Sequence, residues 1–307
     1  MKEYKIKIVN AFTKQKFAGN PAGVVLHAEG LSDSHMQSIA REINTPETAF
    51  VLPATEKDAN LQIRWFSPQK EVPLCGHATI ASFHALAEEG MEGMSTNGQH
   101  HFHFQSKSGI LSVRVEKNFY ETAVEFELPL PKFKVKKQIP SSMLHALGLK
   151  ANEVERKLPV VADLYVYIPL KKLSTIEKIK PDFVALNSEL KKMKVNGVSL
   201  FSLQTKEKTS AVHSRFFAPN YGINEDPVTG SANGPLGCYL QQFVLPAGYH
   251  VAYRKLSDDR LEFVGEQGDE IQRMGRVKIR VHTRLNKIET VSIVGEAVTV
   301  MNSTLTV

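Results

Sequence analysis

The sequence is poor in features that mark several common protein classes. It has two cysteines in 307 residues, too few for a disulfide framework, which fits a reducing cytosol. No uninterrupted apolar run approaches the length of a membrane span. The stretch Met1-Lys2-Glu3-Tyr4-Lys5-Ile6-Lys7-Ile8-Val9 alternates polar and apolar residues, so it reads as a first strand rather than a signal peptide. The formal net charge of +6 would suit nucleic acid, but the lysines are not gathered beside aromatics. The densest runs, at 132–137 and 191–194, read as solvated faces of a linker and a helix. A modest positive field suits a small anionic substrate instead. A cytoplasmic protein with no nucleic-acid and no membrane partner is expected.

What is present is a stretch that occurs twice. Arg64-Trp65-Phe66-Ser67-Pro68 leads through a short loop to Glu71-Val72-Pro73-Leu74-Cys75-Gly76-His77-Ala78. Arg215-Phe216-Phe217-Ala218-Pro219 leads in the same order to Glu225-Asp226-Pro227-Val228-Thr229-Gly230-Ser231-Ala232, through a loop three residues longer. So many matched positions point to a duplicated strand–loop–helix unit and a chain of two like halves. Residues 63–66 and 212–217 are rich in β-branched and aromatic side chains and are expected strands. Each strand ends at a proline, which has no N–H to give the ladder. Gly76 and Gly230 open helices whose first N–H groups lack partners inside the helix, a natural grip for a carboxylate. Both helices are apolar nearly all round, the mark of burial. Each half is therefore expected to wrap sheet around a central helix, the two N-termini aimed at one shared cleft. Taken singly, each also reads as an ordinary Gly-initiated core helix.

Along the first half, strands are expected at 4–12 and 24–26, with turn chemistry at Gly19-Asn20-Pro21. Asn20 either serves that turn alone or donates to a ligand facing the loop. Ser32 is a candidate cap for a helix with Met36, Ile39, Ala40 and Ile43 on one face. A strand should begin near Thr48, because Pro46 cannot continue the helix. Glu47 at its entry reads in two ways. It is a partly exposed strand-entry residue, or a carboxylate beside an apolar cleft with a raised pKa, poised for proton transfer. His100, His101 and His103 suggest a metal, but no carboxylate or cysteine completes a zinc pattern beside them, so a partly exposed strand is expected. Leu128-Pro129-Leu130-Pro131-Lys132 reads as a linker, dividing the chain into halves 1–129 and 130–307. In the second half, strands are expected at 160–168, 198–203, 211–217, 250–254, 260–264, 276–282, 289–294 and 297–300. A helix should run from Gly230 to about Phe243, and Gln267-Gly268-Asp269 should turn.

Four separated stretches also carry a resemblance. Ala-Gly-Asn-Pro-Ala at 18–22, Asn-Thr-Pro-Glu-Thr-Ala-Phe-Val at 44–51, Pro-Leu-Cys-Gly-His-Ala-Thr at 73–79 and Glu-Asp-Pro-Val-Thr-Gly-Ser-Ala at 225–232 resemble signature stretches of the PhzF-like isomerases of phenazine biosynthesis. Gln267-Gly268 and Gly275-Arg276 resemble that family's late stretch. The resemblance spans nearly the whole chain. It implies an α+β, diaminopimelate-epimerase-like fold of two similar halves, each a mixed, largely antiparallel sheet around a central helix, with the active site between them. It also implies no cofactor, a homodimer, and a last strand that often returns to the first half. Residue by residue, it implies the acid/base carboxylate at Glu47, a Gly-His pair at Gly76-His77, a second carboxylate at Asp226 and a Gly-Ser pair at Gly230-Ser231. Pro46 departs from the serine of many members, and Asn233 stands where members vary, which leaves substrate identity open.

The competing chemistry in this fold is the two-thiol racemase or epimerase, with one cysteine from each half. Cys75 resembles one half-site, but Thr229 stands at the matching position, and a hydroxyl is far too weak an acid to replace a thiol. Cys238 lies eight residues beyond Gly230, more than two turns down the helix. The expected reaction is therefore an isomerisation with Glu47 as proton shuttle. The catalytic set is Glu47, His77 and Asp226; the substrate-binding set is Asn20, Cys75, Gly76, Thr229, Gly230 and Ser231; no metal is expected. Without the resemblance, His77 also reads as a helix-capping side chain and Asp226 as a loop acid held by local N–H groups. A non-catalytic binding or scaffold protein is the alternative from a different class.

Overall fold

The computed structural model describes residues 2–307; Met1, read above as the first residue of the N-terminal strand, lies outside the described residues. The chain divides into two units, Met1–Glu127 with Val294–Val307, and Leu128–Ile293.

In the first unit the strands are β1 (Glu3–Ala11), β2 (Asn20–Leu26), β3 (Glu47–Pro53), β4 (Leu61–Phe66), β5 (Glu71–Val72), β6 (Gly98–Ser106), β7 (Gly109–Lys117) and β8 (Thr122–Leu128). The helices are α1 (Asp33–Ile43) and α2 (Gly76–Glu88). Ser32 caps α1 by accepting the His35 N–H, and Asn44 closes it in the left-handed conformation. Strand β1 runs antiparallel to β2, β2 parallel to β3, β3 antiparallel to β4, and β4 parallel to β6. Strands β6, β7 and β8 form an antiparallel meander. Helix α2 is buried from His77 to Ala87. Its Phe83 packs on Phe102 and Phe104 of β6, and Ile80 meets Gly295. A helix with apolar side chains on every face is stable only when sheet covers every face, each large side chain contributing about 1.5–3 kcal/mol.

The second unit repeats this pairing scheme. Its strands are β9 (Lys134–Lys136), β10 (Val160–Ala162), β11 (Val166–Leu170), β12 (Val198–Ser202), β13 (Val212–Ala218), β14 (Ile223–Asp226), β15 (Arg254–Ser257), β16 (Arg260–Gln267), β17 (Gly275–Arg284) and β18 (Lys287–Thr306). Strand β10 is antiparallel to β11, β11 parallel to β12, β12 antiparallel to β13, and β13 parallel to β16. The central helix is α6 (Gly230–Tyr239), continued by a wider π-type turn over Leu240–Val244. Tyr239 packs on Phe201 of β12 and donates its hydroxyl to the Pro159 carbonyl. At Gly237 any Cβ would stand 2.3 Å from Ile279 of β17, so the helix lies against the sheet at a distance only glycine permits. Helices α3 (Ser141–Ala146), α4 (Leu173–Lys178) and α5 (Phe183–Met193) share a second apolar cluster with β10, β11 and β12.

Several elements differ from the sequence expectation. The lysine-rich linker contains β9: Lys134-Val135-Lys136 pairs antiparallel with β10, with Lys134 and Val135 exposed and Lys136 half-buried. The strand expected over 160–168 folds back on itself as β10 and β11. The strand expected at 250–254 begins only at Arg254. The two strands expected at the C-terminal end are one, β18. Its Val294–Val307 end belongs to the first unit and pairs antiparallel with β1, Ala297 opposite Ala11 and Thr306 opposite Glu3.

Candidate active site

The repeated motif has a structural purpose that its spacing only hinted at. Arg64 Nε donates to Glu71 at 2.8 Å, and Arg215 Nε donates to Glu225 at 2.8 Å. Each guanidinium also lies over the second aromatic of its own motif, Arg64 over Phe66 at 5.2 Å and Arg215 over Phe217 at 5.0 Å. The matched Arg and Glu thus tie each strand to the loop that delivers the helix start.

In the first unit, that loop and β3 gather three predicted side chains. Glu47 opens β3, Cys75 is the N-cap of α2, and His77 lies in its first turn. Oε2 of Glu47 is 3.3 Å from Nε2 of His77, and Cys75 Sγ is 3.5 Å from His77 Nδ1. One donor atom from each residue lies within 4.8 Å of the other two. Burial pushes the His77 pKa down to about 4, against an upward pull from the Pro21 carbonyl, so the imidazole is neutral near pH 7. Pro21 follows Asn20, itself fully buried at the start of β2, which brings the Asn20 turn to the same group of residues. The N-cap position is held by Cys75, with His77 inside the first turn.

In the second unit, a different network surrounds the matching turn. Thr229, the N-cap of α6, donates its hydroxyl to Asp226 Oδ2 at 2.6 Å. Gln267 ties the turn together with both ends of its amide. Its Nε2 donates to the Asp226 carbonyl at 2.9 Å and to Thr229 Oγ1 at 3.0 Å. Its Oε1 accepts from the Thr229 N–H at 3.1 Å and from Asn233 Nδ2 at 2.8 Å. Ser231, one residue into α6 beyond Gly230, has its hydroxyl 2.9 Å from that of Tyr165, whose pKa burial raises. Neither Cys75 nor Thr229 makes a side-chain capping bond. The Ala232 N–H donates to the Thr229 carbonyl at 3.1 Å, and the N–H groups that open the two helices, at Gly76 and at Gly230, stand where an anion can be held.

The two remaining expectations about chemistry sort cleanly. Cys238 is buried inside α6, with its thiol pushed up to about 12 by burial. His100, His101 and His103 lie along β6; Nδ1 of His103 is 2.9 Å from the Ser112 hydroxyl, and Nε2 of His100 is 3.3 Å from the Thr96 carbonyl. Three residues had little or no signal. Gln267 was visible only as part of a turn and a late motif, Asn233 only as a variable position, and Tyr165 not at all. The gathering of Glu47, Cys75 and His77 as a donor set was also missed, because Glu47 lies in a different element from the other two.

Comparison with known proteins gives consistent results. A sequence model described as "Phenazine biosynthesis-like protein" (PhzC-PhzF) matches residues 9–303. A protein of Clostridium acetobutylicum, named an uncharacterized isomerase, is 35% identical over 316 residues that cover 99% of each chain. The solved structure of a PhzF-family phenazine biosynthesis protein from Bacillus anthracis superposes with a TM-score of 0.86 at 32% identity, covering 100% of both chains. A hydroxyproline epimerase from Agrobacterium vitis has a TM-score of 0.59 at 11% identity, covering 99% of this chain and 92% of its own; that likeness concerns the fold alone. The fold is the expected α+β, epimerase-like one.

Proposed function

Since the chain belongs to the phenazine biosynthesis-like (PhzC-PhzF) family, whose curated relatives are named isomerases, we propose that it is a cofactor-independent isomerase that moves a proton, and with it a double bond, on a small carboxylate-bearing substrate. The observation that carries the reading is the placement of Glu47 3.3 Å from His77, a histidine that burial keeps neutral. Glu47 takes a proton from a carbon next to an unsaturated or carbonyl system and returns one at another carbon, so nothing is gained or lost overall. His77, neutral, polarises the substrate without competing for the proton. In the first unit the N–H groups starting at Gly76 are the substrate-holding groups; in the second unit they are the N–H groups starting at Gly230, with the Ser231 hydroxyl and Asp226. Asn20, Cys75 and Thr229 line them.

A second reading rests on the 3.5 Å approach of Cys75 Sγ to His77 Nδ1: a thiol beside an imidazole is the half-site of an epimerase. Against it stands the lack of a second placed thiol, since Thr229 occupies the matched position and Cys238 is buried with a raised pKa. The test is solvent exchange. The protein is incubated in D₂O with a panel of cyclic and unsaturated carboxylic acids, and deuterium is read by mass spectrometry. Exchange that vanishes in Glu47→Gln and persists at a reduced rate in Cys75→Ser supports the isomerase. Exchange that vanishes in Cys75→Ser and persists in Glu47→Gln supports the epimerase. No exchange across the panel supports a binding protein.

A further inference from the structure

We propose that Glu47, Cys75 and His77 form a binding site for one thiophilic divalent cation of the zinc class, and that the bound ion switches off the proton shuttle. The binding half of this stands on geometry alone; the inhibitory half rests on the function proposed above.

The donor set comes first. A thiol sulfur, an imidazole nitrogen and a carboxylate oxygen lie within 4.8 Å of one another. Zinc bonds to such donors at about 2.0–2.3 Å, so donors around one tetrahedral ion stand roughly 3.3–3.7 Å apart. The 3.3 Å between Glu47 Oε2 and His77 Nε2 already matches that spacing. Cys75 Sγ lies beside the other ring nitrogen, 3.5 Å from Nδ1, and joins the ion by a χ1 rotation toward Nε2. Sulfur with nitrogen and a single carboxylate selects zinc, cobalt or cadmium over magnesium or calcium, which require oxygen cages.

The second observation is independent of the cluster's composition. His77 is 8% exposed, and among the described residues its Nε2 has no hydrogen-bond partner. The carboxylate oxygen 3.3 Å away is near enough, but the pair does not line up as a hydrogen bond. A buried ring nitrogen without a partner is costly in an ordinary core. With the ring proton on Nδ1, Nε2 offers its lone pair on the side of the Glu47 carboxylate, which is what a metal ligand needs. As the metal–sulfur bond forms, Cys75 releases its thiol proton to solvent. Three protein ligands leave a fourth position for water. The ion also ties up the Glu47 carboxylate, so metal binding and proton transfer by Glu47 exclude each other.

The test uses the full chain, freed of metal with a chelator and titrated with Co²⁺. The expected result is one equivalent bound, with visible bands of tetrahedral cobalt and a thiolate-to-metal charge-transfer band in the near ultraviolet. Zn²⁺ should displace the cobalt and Mg²⁺ should not. Cys75→Ser should remove the charge-transfer band, and Cys75→Ser and Glu47→Gln should each weaken binding at least about tenfold. Cys238→Ser should keep the band. Circular dichroism and melting show that each variant is folded. No band in the wild-type protein, a band that survives Cys75→Ser in folded protein, or one lost only in Cys238→Ser overturns the site. In the exchange assay, one equivalent of Zn²⁺ should abolish turnover and chelation should restore it; unchanged exchange with zinc bound overturns the inhibitory half. A metal-free protein without exchange counts against the isomerase reading, while the cobalt spectrum still decides the site.

Discussion

Nδ1 of His213 stands 2.8 Å from Oε2 of Glu266, and neither side chain is exposed to solvent. Its other ring nitrogen lies 3.0 Å from Glu270, and Glu266 also accepts the backbone N–H groups of Lys206 and Glu207. With a carboxylate at each nitrogen, the ring is an imidazolium. Burial alone would lower the His213 pKa, but the two carboxylates outweigh it and raise it to about 9. A proton held more tightly in the folded than in the unfolded chain stabilises the fold fully below the ordinary value of 6.5, and the benefit is lost as pH rises through about 9. Melting temperature should therefore fall across that window in the wild-type protein. His213→Gln should start lower and lack this component. Equal slopes in both proteins would refute the assignment.

The opposite sign is expected at His77. Its folded pKa of about 4 lies below the ordinary 6.5, so the unfolded chain takes up the proton first. Above about 6.5 the residue makes no pH-dependent contribution; as pH falls toward 4, stability is lost. Urea unfolding at stepped acid pH should show a decline in the wild-type protein that is shallower in His77→Asn. A variant as acid-sensitive as the wild type would show that other groups carry the effect.

The two matched arginines should not be equivalent. Arg215 makes a bidentate pair with Glu225 and donates Nη1 to the carbonyls of Ile176 and Ile179, with side-chain exposures of 8% and 11% for the ion pair. Arg64 and Glu71 are each 19% exposed, and the other acid bound to Arg64, Asp33, is 80% exposed. Arg215→Ala should cost about 3–5 kcal/mol by stranding a buried carboxylate. Arg64→Ala should cost about 1–2 kcal/mol. Denaturant midpoints would measure both; equal losses would show that the difference in burial does not matter here.

Gln267 should matter more than a turn residue does. Its amide satisfies two donors and two acceptors around the start of α6. Gln267→Ala leaves those partners unmet at about 1–3 kcal/mol for each one that stays dry. Gln267→Glu should not restore the wild-type state, because a carboxylate has no hydrogens for the Asp226 carbonyl and adds charge beside Asp226. Both should lose stability in urea and, on the proposed function, exchange rate. Wild-type behaviour of Gln267→Glu would mean that the donated bonds are dispensable.

What the sequence determined by itself was everything carried by contiguous residues. The Arg-aromatic-aromatic-x-Pro strands, the Gly-led apolar helices and the Ser32 cap follow from local sterics, the missing proline N–H and the period of apolar side chains, and β4, α2, β13, α6 and α1 formed where those signals stand. Boundaries were weaker wherever partners decide them. Nothing in Lys134-Val135-Lys136 makes a strand until β10 lies beside it, and nothing in 250–254 prevents one until the neighbouring β16 offers its partners only from Arg254 onward. Tertiary structure alone decided which distant side chains meet. Gln267 grips Thr229 from 38 positions away, and Glu266 reaches His213 from 53. Glu47 reaches His77 across the gap between β3 and α2. A side chain's chemical type is written in the sequence, but its pKa, its hydrogen-bond partners and its capacity to share a ligand depend on burial and on atoms a few ångströms away, which only the folded chain supplies.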